Sequence, residues 1–466
     1  MMDYAQFIAG KHATTPDSGF TRRVDPDSIL FPFQRQLVEW AWLKGRAALF
    51  ADTGLGKTPM QLTWADGVVN ETGRPVLILG PLAVVRQTEA EAVKFGIDGV
   101  AVVRDSSGTS RIQVCNFEMA KHLDFGAYAG VVIDESSILK NAFGRYRRQL
   151  IEWCADVPYR LACSATPSPN DHTELGNHSE WLSVMDHAVM KARWFLNDLG
   201  DTVQPWRLKR HAVDDFWRWV ATWARCVSKP SDVGDYDDSR YDLPPLHIQQ
   251  HVVSVDIVTD APDGMLFRVP EMSATSIHRE KRRTLNARVR MMVDLVNREP
   301  DEPWVIWCET NDEQDAAVAA IPGLIDVRGS MTPSQKADGL LAFAQDGGCI
   351  VTKPKIAGMG LNWQHSARAV FLGGSYSFEQ FYQALRRQYR FGQPREVHAH
   401  VIMASTERRI WQAIHRKAGH HEQMRQAMLE ASRKAAREYT SRLGYRPRHL
   451  APIPQWIRPL TPQEGT

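Results

Sequence analysis

A glycine-rich segment directly after a short apolar run constrains this chain more than any other feature. Residues 51–58 read ADTGLGKT and follow the strand-like run AALF at 47–50. Glycines let backbone N–H groups converge on phosphate oxygens, and a helix N-terminus behind them favours negative charge. A fortuitous glycine-rich turn is the alternative, but strand, turn and helix arrive in the order that a phosphate loop demands. We therefore expect phosphate contacts from Thr53, Gly54, Leu55, Gly56, Lys57 and Thr58.

Two of these side chains would act directly on a nucleotide. Lys57 would reach the β- and γ-phosphates, and the hydroxyl of Thr58 would hold Mg²⁺. The predicted cofactors are therefore ATP and Mg²⁺.

The rest of the chain alternates strand-like runs with helical patterns. With 466 residues, it is too long for one ordinary core and suits two domains. Such alternation predicts mostly parallel sheets covered by helices on both faces. Residues 170–226 break the pattern, and their tryptophans at helical intervals predict a helical elaboration of the first domain. The acidic, turn-rich residues 228–245 are the best boundary. The strand-like runs are 47–50, 76–79, 112–115, 130–133, 159–163, 304–308, 348–352 and 369–372.

Composition excludes several other classes of protein. The net charge is only +2, so an acidic polymer would have to meet local basic patches. No run approaches the ~20 apolar residues of a membrane span, and residues 1–12 do not resemble a secretory signal. The cysteines are scattered without CxxC spacing, which disfavours a zinc ribbon and fits a reducing compartment. Metal binding by His398 and His400, or by His420 and His421, is disfavoured because the sequence shows no partner ligands.

A pair of acids follows the apolar run at 130–133. The segment VVIDESS at 131–137 places Asp134 and Glu135 at the carboxyl end of a predicted strand, facing the phosphate loop. Asp134 would hold Mg²⁺, and Glu135 would polarise the attacking water. Two acids after a strand are often only a solvated strand end, but their place downstream of a phosphate loop favours the catalytic interpretation.

Two further segments would complete the site. Ser164 and Thr166 lie in SATP at the end of the run 159–163, where their hydroxyls could couple the nucleotide site to the rest of the domain; ordinary loop hydroxyls are an equal alternative. In the second half, QALRRQYRFGQ at 383–393 places Arg387 and Arg390 on one face of a helical turn. Arginine suits the charge that gathers on a transferring phosphoryl group. The alternative is a solvated basic helix face.

Together these segments resemble the motifs of superfamily 2 helicases, and specifically their Swi/Snf branch. The resemblance runs in order from about residue 30 to 410. In this comparison Phe33 and Gln34 belong to an adenine-recognition segment, Gly360 to motif V, and Gln383 to motif VI with a coupling role. The matching stretches are FPFQRQ (31–36), LFADTGLGKTPMQ (49–61), LILGPLAVVRQ (77–87), VVIDESSILKN (131–141), SATPSPN (164–170), KIAGMGLNWQ (355–364) and QALRRQYRFGQ (383–393).

The resemblance implies a fold and an activity. It implies two tandem RecA-like α/β domains, at residues 1–240 (helical elaboration about 170–228) and 241–466 (with a helical, Pro-rich tail), and an ATP cleft between them. The implied activity is ATP-driven movement on nucleic acid, with double-stranded DNA as the preferred partner, by a monomeric motor without a membrane partner. Residues 206–234 also resemble compact helicases of bacteriophages and prophages. That likeness implies work in a bacterial cytoplasm, with phage or host replication, recombination or repair proteins as further partners.

Two positions depart from the family pattern. Ser136–Ser137 stands where motif II usually continues Ala-His, and Arg386 stands where chromatin-remodelling relatives tend to carry an acid. The first departure keeps a nucleotide-gated binding switch with little turnover as an alternative. A strand-separating helicase, on DNA or RNA, is a second alternative, because a separating hairpin could lie within residues 170–240.

Candidate nucleic-acid contacts are less specific. Residues 278–292 carry six Arg or Lys against one Glu, and residues 408–442 form a charged helical pattern. Either could bind phosphates, which a motor must grip without regard to base sequence, or could be a solvated helix. Trp363 could stack on a base, but a core position is the favoured interpretation.

Overall fold

The computed structural model of the chain describes residues 14–140, 144–168, 171–197, 206–253, 281–357, 362–373 and 377–444. Two large parallel sheets organise these residues, each between layers of helices. The predicted α/β class with two parallel-sheet domains and a largely helical insertion is confirmed. Within the described ranges, no helix is both long enough and apolar enough to cross a membrane.

The first sheet has seven parallel strands in the order β3-β4-β2-β5-β6-β1-β9. Its central strands are buried on both faces, as expected for a sheet covered by helices on both sides. The carboxyl ends of β1, β5 and β6 are adjacent, because β6 pairs with both β1 and β5. The strands are β1 (Arg46–Ala51), β2 (Val76–Gly80), β3 (Val100–Val102), β4 (Ile112–Asn116), β5 (Gly130–Asp134), β6 (Tyr159–Cys163) and, after the insertion, β9 (Ala224–Val227).

Helices cover this sheet and form most of the insertion. A proline, which has no backbone N–H, occupies the first position of α1. An N–H at that position would have no helical partner, so the proline favours helix initiation there. The helices of the first half are α1 (Pro32–Lys44), α2 (Lys57–Thr72), α3 (Leu82–Lys94), α4 (Arg145–Trp153), α5 (Leu175–Trp181), α6 (His187–Trp194) and α7 (Val213–Trp223).

The insertion contains more than helices. Strands β7 (Phe195–Asn197) and β8 (Trp206–Leu208) form an antiparallel pair, and β9 returns to the main sheet beside β1. The sequence interpretation that strand signals fade through residue 226 missed all three strands. They are three or four residues long, and the tryptophans of α7 dominate the pattern around them.

The second sheet has six parallel strands in the order β10-β15-β14-β11-β13-β12. The predicted runs at 304–308, 348–352 and 369–372 correspond to β11, β13 and β14. The strands are β10 (Leu246–Val253), β11 (Trp304–Trp307), β12 (Ile325–Asp326), β13 (Cys349–Thr352), β14 (Arg368–Leu372) and β15 (Val397–Ala404). The helices are α8 (Leu285–Arg298), α9 (Asn311–Ala320), α10 (Pro333–Asp346), α11 (Pro354–Ala357), α12 (Phe378–Leu385) and α13 (Arg408–Gly444).

The final helix, α13, contacts both halves of the molecule. Trp411, near its start, packs in the core of the second sheet. Met424 and Met428 pack in the core of the first, beside α7 and β9. Its Ser432 hydroxyl accepts a hydrogen bond from the Cys226 amide at 2.9 Å. The chain therefore passes from the first half to the second and then returns.

Candidate functional site

The predicted phosphate loop connects β1 to α2. Gly54 and Gly56 adopt φ of 93° and 77°, which side-chain-bearing residues rarely tolerate. A Cβ at Gly56 would also lie 2.3 Å from the Gln34 amide nitrogen, so this position requires glycine for space as well. The Lys57 ammonium donates to the carbonyl oxygens of Ala51 and Asp52 at 2.9 and 3.3 Å, which holds it over the loop.

The predicted adenine segment lies against this loop. The Gln34 amide donates to the Leu55 carbonyl at 2.8 Å, and its oxygen accepts from the Phe31 amide at 2.8 Å. Phe33 is only 2% exposed and packs edge-on against Tyr241, whereas Phe31 is 38% exposed. Gln34 thus connects the start of α1 to the phosphate loop. A direct contact of Phe33 or Gln34 with a base stays a prediction.

Asp134 and Glu135 lie at the end of β5. The Asp134 carboxylate accepts a hydrogen bond from the Gln61 amide at 2.8 Å. Glu135 has φ of 58°, a left-handed conformation that costs a non-glycine residue free energy and is concentrated at functional sites. Burial, and for Glu135 also the neighbouring Asp134 charge, raises the pKa of both carboxyls. Sequence reasoning missed Gln61, although it stands in the α2 segment that follows the phosphate loop.

The serines after these acids have a histidine neighbour that the sequence did not reveal. The Ser136 hydroxyl lies 3.1 Å from the His178 Nε2 in the insertion helix α5. Burial lowers the pKa of His178 to about 4, so its imidazole is neutral at physiological pH. A histidine therefore does contact motif II here, from an element 42 residues further along the chain.

The predicted coupling hydroxyls are buried beside the acids. Ser164 and Thr166 are both fully buried directly after β6. The Ser164 hydroxyl accepts a hydrogen bond from the Thr166 amide at 3.1 Å, which shapes the turn. The structure thus brings this segment to the same sheet edge as Asp134, because β6 pairs with β5, and the coupling role of its hydroxyls stays a prediction.

The second half contributes two arginines through α12 and the turn that follows it. Arg387 is 4% exposed, and its Nε donates to the Gln383 carbonyl at 3.1 Å. Burial lowers the pKa of Arg387 to about 10, against the attraction of Glu135 and Asp134. Burial, with repulsion from Arg387, lowers the pKa of Arg390 to about 10 as well. Both guanidiniums remain charged at neutral pH, and Arg387 is close enough to both acids to interact with them electrostatically.

One face of α12 contacts the first half directly. The Tyr382 hydroxyl donates to Asp52 Oδ1 at 2.7 Å, and Arg386 lies 3.3 Å from Asp52 Oδ2. Glu379 forms an ion pair with Lys140, which lies in the VVIDESSILKN stretch (131–141). A Cβ at Gly54 would lie 2.7 Å from the Phe391 Cβ, so the turn after α12 also packs on the phosphate loop. The predicted motifs of the two halves are therefore in direct contact.

The residues present fit a nucleotide with a divalent cation. Three buried polar atoms of predicted site residues have no hydrogen-bond partner in the described part of the chain: Glu135 Oε2, Thr166 Oγ1 and the Gln383 amide nitrogen. Buried polar atoms normally have partners, so these are poised for water or ligand. Thr58 at the start of α2 and Asp134 at the end of β5 offer oxygen ligands of the kind that Mg²⁺ prefers. Gly360, predicted to bind ATP, lies outside the described residues.

Two side chains of the predicted basic segment 278–292, of which residues 281–292 are described, are occupied by ion pairs within the second half. Within residues 278–292, Lys281 is buried in an ion pair with Glu309, and Arg288 is buried in one with Glu313. These two side chains stabilise the second half and are not available to a phosphate backbone. Trp363 is fully buried against Trp307 and Phe343, which confirms the core interpretation.

Comparisons with known proteins find a likeness among solved structures. No protein-family model matches the chain, and no curated protein matches it. Among solved structures, the chain is similar to the Sulfolobus solfataricus SWI2/SNF2 ATPase core in complex with dsDNA. The sequence identity is 16% and the TM-score is 0.42, over 91% of this chain and 98% of that one.

Proposed function

We propose that this chain is an ATP-driven motor of the two-lobed helicase type that translocates on double-stranded DNA. The observation that carries the proposal is the position of Arg387. This buried arginine of the second half interacts with Asp134 and Glu135 of the first half. Charges of opposite sign, from two lobes, therefore converge where a γ-phosphate would lie above the phosphate loop. We include in the proposal the division into lobes at residues 1–240 and 241–466.

The residues divide the work of phosphoryl transfer between them. Lys57 would bind the β- and γ-phosphates, and Glu135 would accept a proton from the attacking water. Thr58 and Asp134 would hold Mg²⁺, which supplies neutralisation of phosphate charge. Arg387 and Arg390 would stabilise charge on the transferring group. Ser164, Thr166 and Gln383 line the cleft where hydrolysis could be coupled to movement.

Because neither lobe carries the whole set, hydrolysis would require a closed cleft. Closing and opening would move the nucleic-acid grips of the two lobes relative to each other. Duplex DNA is the preferred track because the motif resemblance is to the Swi/Snf branch. A setting in phage replication, recombination or repair, in a bacterial cytoplasm, rests on the same resemblance.

A steady-state ATPase assay tests the proposal. We would measure turnover without nucleic acid and with single-stranded DNA, duplex DNA and RNA, using Glu135→Gln as the blank. We expect the strongest stimulation with duplex DNA. Absence of turnover on all four would contradict an ATP-driven motor and favour the nucleotide-gated switch.

One observation favours strand separation as a second candidate. The antiparallel pair β7–β8 lies in the insertion, within the range where the sequence left room for a separating hairpin. Leu196 on this pair is exposed. Unwinding of a forked duplex, lost on Leu196→Asp with duplex-stimulated ATPase retained, would support it. Displacement of a bound protein from intact duplex without unwinding would support the translocase.

A further inference from the structure

Histidines from two distant segments share one face of the second sheet. Strands β10 and β15 pair in parallel, with His247 opposite His398 and Gln249 opposite His400. Side chains two residues apart along a strand point to the same side. His247 and His251 of β10 therefore stand beside His398 and His400 of β15. Sequence spacing hides this arrangement, because the two strands are 149 residues apart at the His251–His400 contact.

Three of the side chains at the start of this pair converge. His247 Nε2 lies 3.2 Å from the carboxylate of Glu396, which directly precedes β15. The rings of His247 and His398 stack with centroids 4.7 Å apart. One donor atom from each of His247, Glu396 and His398 can be chosen so that all three lie within 4.8 Å of one another.

This spacing is close to that of a transition-metal site. Zinc bonds of ~2.0–2.2 Å in tetrahedral geometry place ligand atoms roughly 3.3–3.6 Å apart. The His247 and Glu396 atoms, 3.2 Å apart, already stand near that separation, and the His398 donor lies within 4.8 Å of them. The His247 and Glu396 side chains are 44% and 57% exposed, which leaves an ion an entry path. The nearby Arg368 is neutralised by Glu299, with contacts of 2.7 and 2.8 Å, and its charge therefore repels a cation less.

We propose that His247, Glu396 and His398 form a binding site for a divalent transition-metal ion, and that this ion is zinc. Two imidazoles and one carboxylate suit zinc, whereas Mg²⁺ and Ca²⁺ require mostly oxygen ligands. The site lies at the amino ends of the strands. The arginines of the cleft follow the opposite, carboxyl ends, so this ion would take no part in ATP chemistry.

The ion would instead stabilise the edge strand β10. Within the described residues β10 pairs only with β15, and most of its side chains are exposed, including Ile248 and Val252. An edge strand with so little buried area depends on its backbone pairing. A metal bridging His247 to Glu396 and His398 would bind the folded state alone and so stabilise the pairing. Since β10 is the first strand after the 228–245 boundary, this would anchor the second half where it begins.

Zinc titration of the intact, chelator-stripped chain tests the site. We would measure Zn²⁺ binding by isothermal calorimetry without nucleotide or Mg²⁺, and the melting temperature with and without Zn²⁺. We expect one ion to bind with a Kd of ~1 µM or below and to raise the melting temperature, the behaviour of a ligand that binds only the folded state. His247→Ala and His398→Ala should each weaken binding at least ~10-fold, the lower end for loss of a supporting group.

Matched variants separate this site from other histidines. His122→Ala removes an exposed histidine of the first half and should leave zinc binding unchanged. Glu396→Gln keeps the side-chain shape but removes the charge, and should weaken binding without lowering the melting temperature of the metal-free protein. Zinc binding that survives His247→Ala and His398→Ala, or that disappears in His251→Ala alone, would overturn the assignment.

A second, independent observation concerns Asp52 of the phosphate loop. Its carboxylate has three partners from outside the first half: the Tyr382 hydroxyl at 2.7 Å, Arg386 at 3.3 Å and Arg425 of α13 at 3.6 Å. Burial alone would raise the pKa of Asp52, but Arg386, Tyr382 and Arg425 outweigh it and the pKa is lowered. The carboxylate is thus ionised, buried and neutralised by residues from the other side of the cleft.

We infer that Arg386 and Arg425 are positioning residues, which act through Asp52 to hold the cleft closed while Arg387 is in place. This inference rests on the proposed function. Arg386 is adjacent to Arg387 in the chain, so its ion pair with the phosphate loop fixes the neighbouring guanidinium. This inference also assigns a role to position 386, where chromatin-remodelling relatives tend to carry an acid.

Kinetics and solution scattering together test this inference. We expect Arg386→Ala to lower kcat by up to ~10²-fold, the scale for a misplacement of about 1 Å, with little change in the KM for ATP. Arg386→Lys should recover part of the rate, because an ammonium can still pair with Asp52. Arg395→Ala removes an ion pair with Glu302, away from the cleft, and should leave kcat unchanged.

Scattering separates this inference from the proposed function. Arg386→Ala should increase the radius of gyration of the nucleotide-free protein, a result that does not depend on turnover. A wild-type protein without ATPase activity would contradict the proposed function alone. An Arg386→Ala variant with wild-type kcat and an unchanged radius of gyration would overturn the positioning role alone.

Discussion

Two buried arginines of the second half, Arg288 and Arg387, differ in what surrounds them. Arg288 is fully buried, and its guanidinium donates to Thr284, Glu313, and the carbonyls of Leu372 and Lys281, all within its own half. Arg387 is almost as buried, but the acids with which it interacts belong to the first half. The same residue type thus stabilises the core of one half in one place and interacts with acids of the other half in the other. What distinguishes the two roles is which half supplies the carboxylates.

The largest expected effect tests the first-half side of the cleft. Lys57→Ala should abolish ATP hydrolysis, because it removes the ammonium that we propose binds the β- and γ-phosphates. DNA binding should be largely retained, since Lys57 faces the phosphate loop. ATPase rate and DNA affinity, measured on the same preparation, check this. Normal turnover by the Lys57→Ala variant would contradict the assignment of Lys57 to the catalytic site. The interaction of Arg387 with the two acids would then have no proposed catalytic role.

The next effect tests Arg387 and Arg390, the arginines that follow α12. Arg387→Ala and Arg390→Ala should each slow turnover by ~10³-fold or more, the scale of an arginine finger, while ATP affinity is kept. Single-turnover kinetics and nucleotide binding check this. If Arg387→Ala instead lowered the stability of the folded protein and left the turnover rate of the folded fraction unchanged, Arg387 would be a structural residue like Arg288.

The converse experiment measures stability. Arg288→Ala should lower the free energy of unfolding by about 3–5 kcal/mol, because it leaves the Glu313 carboxylate buried without its partner. Arg290→Ala, an exposed neighbour on the same helix, is the matched control and should change it little. Denaturant unfolding followed by circular dichroism makes the measurement. Equal stability of the two variants would contradict the assignment of Arg288 as a residue that stabilises the second half.

The smallest effect concerns the acids that Arg387 faces. A carboxyl whose folded-state pKa is raised contributes stability below its unfolded pKa and loses it as pH rises through the folded pKa. Glu135→Gln should therefore raise the melting temperature slightly at neutral pH and not at acidic pH. In the wild type, kcat should fall with decreasing pH, starting above the usual range of a glutamate. A melting temperature for Glu135→Gln below that of wild type at neutral pH would contradict the raised pKa.

The parts of the site that the sequence predicts are those held by one continuous segment. A strand, a glycine turn and a helix N-terminus follow one another at residues 46–58, so local chemistry alone is enough to predict the position of Lys57. Asp134 is predictable for the same reason, as the last residue of an apolar strand. The long helix α13 and the core position of Trp363 were also predicted correctly.

The parts that sequence reasoning missed depend on contacts between distant segments. Gln61 and His178 contact the acid segment only because α2 and α5 pack beside β5. Sequence periodicity also could not show that Lys281 and Arg288, two of the six basic residues at 278–292, are neutralised by Glu309 and Glu313. Strand β9 was missed because its four residues are recognised as a strand only beside β1.

The path of α13 determines how the second half can move. The chain enters that half through residues 228–245 and leaves it along a helix whose far end is fixed to the first core by Met424, Met428 and the ion pair of Arg433 with Asp232. The second half is thus connected to the first half at both its beginning and its end. Any movement of the second half relative to the first would therefore have to displace or bend α13 as well as residues 228–245.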